Sequence, residues 1–318
     1  MQLGLCLASY SDQGLGMALK QASGLGALCL DLPSDTTLGL ADARRCLRER
    51  SFLDDLARAL SDSVVTCVSN SRDAQLLLGP HGPHTDAVAT GTADEKRAHA
   101  RDCILGSIRL AERLGARAVR LLVGCPDFAR WLSWPGSQVS WSDNVSEFFA
   151  HADPLLRAAN DAGLKVLLEP HPKQVIYDRQ SAECLLAASA RWPGLLALCI
   201  DPANLAAMGH DAVTSVAGWG GRMLAVHAKD LERSTATAGQ AGHGWSRYGP
   251  QPPVRFRALG LGELDWRRII NTLLDEDFEG VIYVEHEDLL LPREQSIRLS
   301  LNALRSMLPS GIPQGRTW

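Results

Sequence analysis

The sequence has no surplus of basic charge: 32 lysines and arginines stand against 36 aspartates and glutamates, for a formal net charge of −4 and a pI near 6.1. Without a basic face to neutralise successive phosphates, no nucleic-acid substrate is expected. The eight cysteines, Cys6, Cys29, Cys46, Cys67, Cys103, Cys125, Cys184 and Cys199, never form a Cys-x-x-Cys pair. That excludes zinc ribbons and redox dithiols, and lone cysteines inside apolar runs behave as small hydrophobes, a usage suited to a reducing cytoplasm. No run approaches the ~20 apolar residues that cross a bilayer, so no membrane partner is expected. The run Leu3 to Ala8 has no basic segment ahead of it and breaks at once into Ser9, Tyr10, Ser11 and Asp12. It reads as a first strand and not as a secretory leader. Those four residues are not the glycine fingerprint of a doubly wound dinucleotide-binding sheet. Gly242 and Gly244 lack the further glycines, or the Gly-Lys-Ser/Thr ending, of a phosphate loop.

What the chain does have is 46% hydrophobic residues, arranged in short apolar runs that alternate with amphipathic stretches. Strands are expected over 2–8, 27–31, 64–69, 116–123, 164–168, 195–200, 223–228 and 281–284, and helices over 13–23, 51–60, 93–114, 142–162, 180–192, 211–219, 264–275 and 293–308. Gly115 and Gly163 stand where C-cap glycines stand. Eight strand–helix units within one domain, residues 1–318, predict an α/β fold of the (β/α)8 TIM barrel type, with loop insertions near 78–92, 124–141 and 231–257. The last of these is polar and too long for an ordinary connection, so it reads as a functional loop over the strand ends. His81 and His84 lie in a flexible Gly-Pro-His-Gly-Pro-His turn, which is not expected to bind metal. Trp131, Trp134 and Trp141 could equally stack on sugar rings or cover the barrel rim.

Four apolar runs end on residues that carry chemistry. The run from Leu164 stops at Glu169, with His171 two residues on; Leu195–Ile200 runs into Asp201, Met223–Val226 into His227, and Val281–Val284 into Glu285 and His286. A carboxylate after a strand is often a helix N-cap, and a lone histidine is often structural. Four such residues at equivalent strand ends converge on one cavity in a barrel, at the face where active sites sit. Three carboxylates and an imidazole are a mostly hard donor set that suits one divalent cation, Mn²⁺ first, with Mg²⁺ or Co²⁺ also served and Zn²⁺ less naturally so. Strand alternation would put Lys229 on the side of His227, and Glu287 on the side of Glu285. A cation there could grip the carbonyl and adjacent hydroxyl of a sugar and lower the cost of the enediolate formed by proton loss, with the two glutamates taking and returning the proton.

Glu169-Pro170-His171-Pro172, Asp201-Pro202-Ala203-Asn204-Leu205, His227-Ala228-Lys229-Asp230, Gly260-Leu261-Gly262-Glu263-Leu264-Asp265-Trp266 and Glu285-His286-Glu287-Asp288 together resemble the sugar phosphate isomerase/epimerase family of xylose isomerase-like TIM barrels. The resemblance covers most of the chain. It implies that Glu169, Asp201, His227 and Glu285 hold a divalent metal, commonly Mn²⁺, that Glu169 and Glu285 are the acid/base pair, and that Arg257 contacts substrate, with Arg255 as the weaker candidate. Relatives carry a histidine where this chain has Asn204. Asparagine can bind a substrate hydroxyl but cannot shuttle protons near neutral pH, which turns attention to His171 or His286 as a catalytic group. The expected activity is isomerisation or epimerisation of a small sugar or keto-sugar. The alternatives are a lyase or dehydratase acting at the same metal, such as β-elimination from a keto-glycoside, and a non-catalytic sugar-binding subunit. A homo-oligomer is compatible with the sequence.

Overall fold

The computed structural model describes residues 1–27, 29–126, 141–234 and 253–309. The strands are β1 (Gln2–Cys6), β2 (Cys29–Pro33), β3 (Val65–Asn70), β4 (Ala118–Leu121), β5 (Lys165–Leu168), β6 (Leu196–Ile200), β7 (Met223–Ala228), β8 (Asp230–Arg233), β9 (Val254–Arg257) and β10 (Val281–Val284). All but β8 and β9 join in parallel into a closed barrel in the order β1-β10-β7-β6-β5-β4-β3-β2. β1 closes it, pairing Leu3 with Ile282 on one side and Leu5 with Leu30 on the other. Around it run α1 (Leu15–Gly24), α2 (Ala43–Arg48), α3 (Arg50–Ala59), α4 (Ala93–Leu114), α5 (Ser142–Asp161), α6 (Arg179–Ala188), α7 (Pro202–Ala207), α8 (Ala212–Ser215), α9 (Trp266–Asp275) and α10 (Arg293–Met307). This is the predicted (β/α)8 TIM barrel.

β2, β3 and β6 are buried along their whole length, because helices cover their outer face and other strands their inner face. α4 starts on a capping box: the Thr92 hydroxyl accepts from Glu95 N at 3.3 Å while the Glu95 carboxylate accepts from Thr92 N at 2.8 Å. It ends at Gly115, whose φ of 66° suits a residue without a side chain.

Inside the barrel, Cys29, Cys67, Ala118, Leu167, Cys199, Ala225 and Tyr283 pack as a separate buried cluster of mostly small residues. Side chains two positions apart share a face of a strand. Two residues further along each of these strands stand Asp31, Ser69, Arg120, Glu169, Asp201, His227 and Glu285. The apolar floor therefore carries a layer of charge at the C-terminal ends of the strands.

Several expectations shift. β2 runs two residues later than expected, which moves Asp31 from its last position to its middle, and β4 is shorter at both ends. The helix expected over 211–219 shrinks to Ala212–Ser215, since Gly218 and Gly220 take positive φ values of 73° and 52°. α2 and α7 were not anticipated. The ends of the 231–257 insertion are not loop but an antiparallel pair, with Asp230 opposite Arg257 and Arg233 opposite Val254. Its centre, 235–252, lies outside the described residues, as do Trp131 and Trp134 in 127–140. Trp141 covers the rim: its indole N–H donates to Val175 O at 3.0 Å and its ring meets Tyr177 edge-on at 5.0 Å. The His81 and His84 rings bond to the carbonyls of Leu76 and Pro80 at 2.7 and 3.2 Å, as structural turn residues do.

The closest approach among the outer helices is at Gly106 of α4, where an added Cβ would stand 1.8 Å from Ala43 O in α2. Helix propensity alone would make Gly106→Ala stabilising by about 1 kcal/mol. The clash with backbone reverses the sign, and the expected outcome is destabilisation by about 1–3 kcal/mol, read from the urea midpoint at unchanged m.

Candidate metal centre

Glu169 and Asp201 directly follow β5 and β6, His227 lies in β7, and Glu285 directly follows β10. The sequence-predicted quartet thus shares one end of the barrel. His227 Nδ1 lies 3.6 Å from Glu285 Oε2 and 3.8 Å from Glu169 Oε1. Donor atoms of Asp201, His227 and Glu285 lie within 4.8 Å of one another, and Glu169 forms a second such group with His227 and Cys199. The four predicted ligands thus do not fall into one such group, and both Glu169 oxygens are held: Oε2 accepts from Arg120 Nη1 at 2.8 Å and Oε1 from Asn204 Nδ2 at 3.1 Å.

The donor set fits a divalent cation on two observations. Both ring nitrogens of His227 and Oδ2 of Asp201 are buried without a hydrogen-bond partner. The layer is also short of positive charge: with His227 neutral, as a cation ligand must be, Asp31, Glu169, Asp201 and Glu285 are met only by Arg120 and Lys229, which leaves two negative charges over. Buried charge without compensation is costly, and one divalent ion would cancel the excess.

Lys229, two residues beyond His227, is buried and sends its ammonium among the carboxylates, 2.7 Å from Glu285 Oε2 and 2.6 Å from Glu287 Oε2. It lies 3.0 Å from Asp201 Oδ2 but off the direction of a hydrogen bond, so this contact is Coulombic only. Burial opposes the charge on Glu285, yet Lys229 and then His227 override it and hold the carboxyl well below the usual range. For Asp201 burial wins over Lys229, with Glu285 and Glu169 adding to it, and the carboxyl is raised. Burial likewise opposes a charged His227, but Cys199, Glu285 and Glu169 around it lift the ring well above the ordinary imidazole value. Asp201 also caps α7, its Oδ1 accepting from Ala203 N at 2.9 Å and Asn204 N at 3.1 Å. The helix-cap and ligand readings thus fall on different oxygens of one side chain.

Over this layer opens a cavity of about 300 Å³ whose walls include Arg120, Glu169, His171, Asn204, Lys229 and Glu285, with His286 and Arg72 further round. Arg257 is not among its walls. Its Nε donates to Asp288 Oδ2 at 3.2 Å and its Nη1 to Glu232, which secures the β8–β9 pair. Two other motif acids are structural: Asp230 accepts from Gly260, Leu231 and Leu264 N, and Asp288 from Ala258, Leu290 and Leu291 N. A second cavity, about 310 Å³, opens at the opposite end of the barrel beside Thr66, Met223 and Phe278, away from the charged layer. Sequence reading missed Asp31 and Arg120. The available signal was a charge in the middle of an apolar strand, Leu30-Asp31-Leu32 and Val119-Arg120-Leu121.

Comparison with known proteins places this arrangement in context. The family described as xylose isomerase-like TIM barrel matches residues 24–307. The uncharacterized protein YfiH of Bacillus subtilis (strain 168) is 25% identical over 229 residues, 65% of this chain and 71% of its own. The apo structure of 3-keto-D-glucoside 4-epimerase, YcjR, from E. coli superposes with a TM-score of 0.67 at 13% identity, covering 96% of this chain and 99% of that one. The IOLI protein with a binding zinc atom gives 0.65 at 16% identity, over 96% and 98%.

Lys229→Met removes the ammonium that buried Asp201 and Glu285 share. In chelator the variant should lose about 3–5 kcal/mol of unfolding free energy, because carboxylates are left buried without a counter-charge. Saturating Mn²⁺ should return most of it, and urea titrations with and without metal read both effects. The carboxylates around His227 favour its protonated ring, and a cation held there would have to displace that proton, so metal affinity should weaken as pH falls and calorimetry in buffers of different ionisation enthalpy should report proton release.

Proposed function

Because the chain belongs to the xylose isomerase-like TIM barrel family, we propose that it is a divalent-metal-dependent isomerase or epimerase of a small sugar or keto-sugar. The observation that carries the reading is the layer of four carboxylates, three of them buried, with unpartnered His227 and Asp201 atoms, beneath a cavity of about 300 Å³. Glu169, Asp201, His227 and Glu285 would hold the cation. Hard oxygen donors favour Mn²⁺, and the zinc-binding neighbour keeps Zn²⁺ beside Mg²⁺ and Co²⁺. When bound, it would supply Lewis acidity to a substrate carbonyl and adjacent hydroxyl, which acidifies the C–H of the hydroxyl-bearing carbon beside the carbonyl.

The protein's own groups do the rest. Glu285 and Glu169 come from strands separated by β7 and β6 in the barrel order and so approach a bound sugar from different sides. One takes the proton from the carbon beside the carbonyl, and the other returns one. Asn204 and Lys229 present an amide and an ammonium to hydroxyls, and His171, whose ring also lines the cavity, serves the proton moves that the missing histidine at Asn204 would have served. No helix among the described residues is long and apolar enough to cross a membrane. The cysteines, buried but for Cys184, serve as small core residues, a usage that supports a reducing, cytoplasmic setting. A sugar alone, and no nucleic acid, is the partner this site suits; whether copies of the chain assemble leaves the chemistry as it is.

The test is proton NMR of candidate keto-sugars in D₂O. Exchange at the carbon beside the carbonyl, with the skeleton retained, is expected, and loss of water or of an aglycone would assign elimination by the same residues instead. Glu169→Gln and Glu285→Gln should each slow exchange about a hundred- to ten-thousand-fold, and chelator should abolish it. Exchange that survives both substitutions sinks the reading.

A further inference from the structure

We propose that Asp31 and Arg120 are positioning residues of the cation site: Asp31 holds His227 through Nε2, so that Nδ1 stays turned to the carboxylates, and Arg120 clamps Glu169. This rests on the reading that those carboxylates and His227 hold a divalent cation.

The two nitrogens of the His227 ring face different partners. Nδ1 looks to Glu285 and Glu169 at 3.6 and 3.8 Å, and Nε2 looks to Asp31 Oδ2 at 3.9 Å. Asp31 is fully buried in β2 and reaches the ring across the barrel interior. Neither ring nitrogen has a hydrogen-bond partner, and Asp31 Oδ1 has none. Buried donors and acceptors left unpaired are penalised, so a small turn of either side chain that joins Nε2–H to Asp31 is favoured. Once Nδ1 gives its lone pair to a cation, Nε2 must carry the ring proton. A carboxylate on that outer nitrogen fixes ring orientation and strengthens the inner nitrogen as a ligand.

Arg120 ties this carboxylate to the next ligand. Its Nε lies 3.4 Å from Asp31 Oδ2 and its Nη1 2.8 Å from Glu169 Oε2, with the side chain only 5% exposed. One planar guanidinium spans two acids at fixed separation, which the point charge of a lysine cannot do. Asp31 and Arg120 thus form an inner brace, linking His227 on β7 to Glu169 on β5 through β2 and β4.

The experiment measures Zn²⁺ and Mn²⁺ affinity by chelator competition for the full-length wild type, Asp31→Ala, Asp31→Asn and Arg120→Lys, with the melting temperature of each cation-free protein as control. Asp31→Ala and Arg120→Lys should each weaken binding about 10- to 100-fold, and Asp31→Asn, which keeps an acceptor without charge, should fall between wild type and alanine. Nitrogen-15 NMR of the zinc-loaded wild type should find zinc on Nδ1 of His227 and a proton on Nε2. Wild-type affinity in folded Asp31→Ala overturns the proposal, as does zinc on Nε2, and the NMR result decides even where a variant does not fold. A wild type that binds no divalent cation removes the metal site itself, an outcome distinct from intact binding in the variants.

Discussion

Charge sealed inside a barrel is the constraint on which the rest of this structure depends. Each buried ion gives up several kcal/mol of hydration, and only close opposite charges and hydrogen bonds offset that loss. The fold meets the demand by placing the charged side chains in one layer, where Arg120 and Lys229 each lie between two or more carboxylates. Beneath them the buried floor is built mostly of cysteine and alanine, with Leu167 its one leucine. The same alternation that buries the floor raises the charged layer, so stability and chemistry come from one strand periodicity.

Beyond the layer, the motif acids divide their work. Glu169, Asp201 and Glu285 face the centre, while Asp230 and Asp288 use their oxygens on backbone N–H groups of the turn 258–264 and the loop after β10. Gly262 belongs to that arrangement for steric reasons, since a Cβ there would stand 2.3 Å from Asp230 Oδ1. A conspicuous motif is therefore not uniformly turned to the cavity. Of these five acids, two hold the loops beside the rim and three converge on the centre.

The barrel was legible because parallel strands covered on both faces leave continuous apolar runs, and Glu169, Asp201, His227 and Glu285 were legible because they stand at or near the ends of those runs. Arg120 escaped notice because it sits inside a run, where one polar residue looks like an exception, and Asp31, the last residue of the expected strand 27–31, because apolar Leu32 and Pro33 follow it. Counting by two along each strand from Cys29, Ala118 or Ala225 would have placed them level with His227. Arg257 was named through family resemblance alone, and its ion pairs with Glu232 and Asp288 are tertiary contacts that no local pattern encodes. The β8–β9 pair was hidden for a related reason: its strands are four residues each, mostly charged apart from Leu231, Val254 and Phe256, and antiparallel pairing across a long separation leaves little trace in sequence.

That pair has a consequence for how such a protein can diversify. Ser234 N donates to Pro253 O at 2.9 Å, so the chain departs from the rim and returns to it at a single point. Whatever length or composition evolution inserts between those two residues, the ladder beneath stays shut and Lys229 keeps its place beside Asp201. The stretch can be exchanged like the bit on a fixed handle, with the charged layer left as it is.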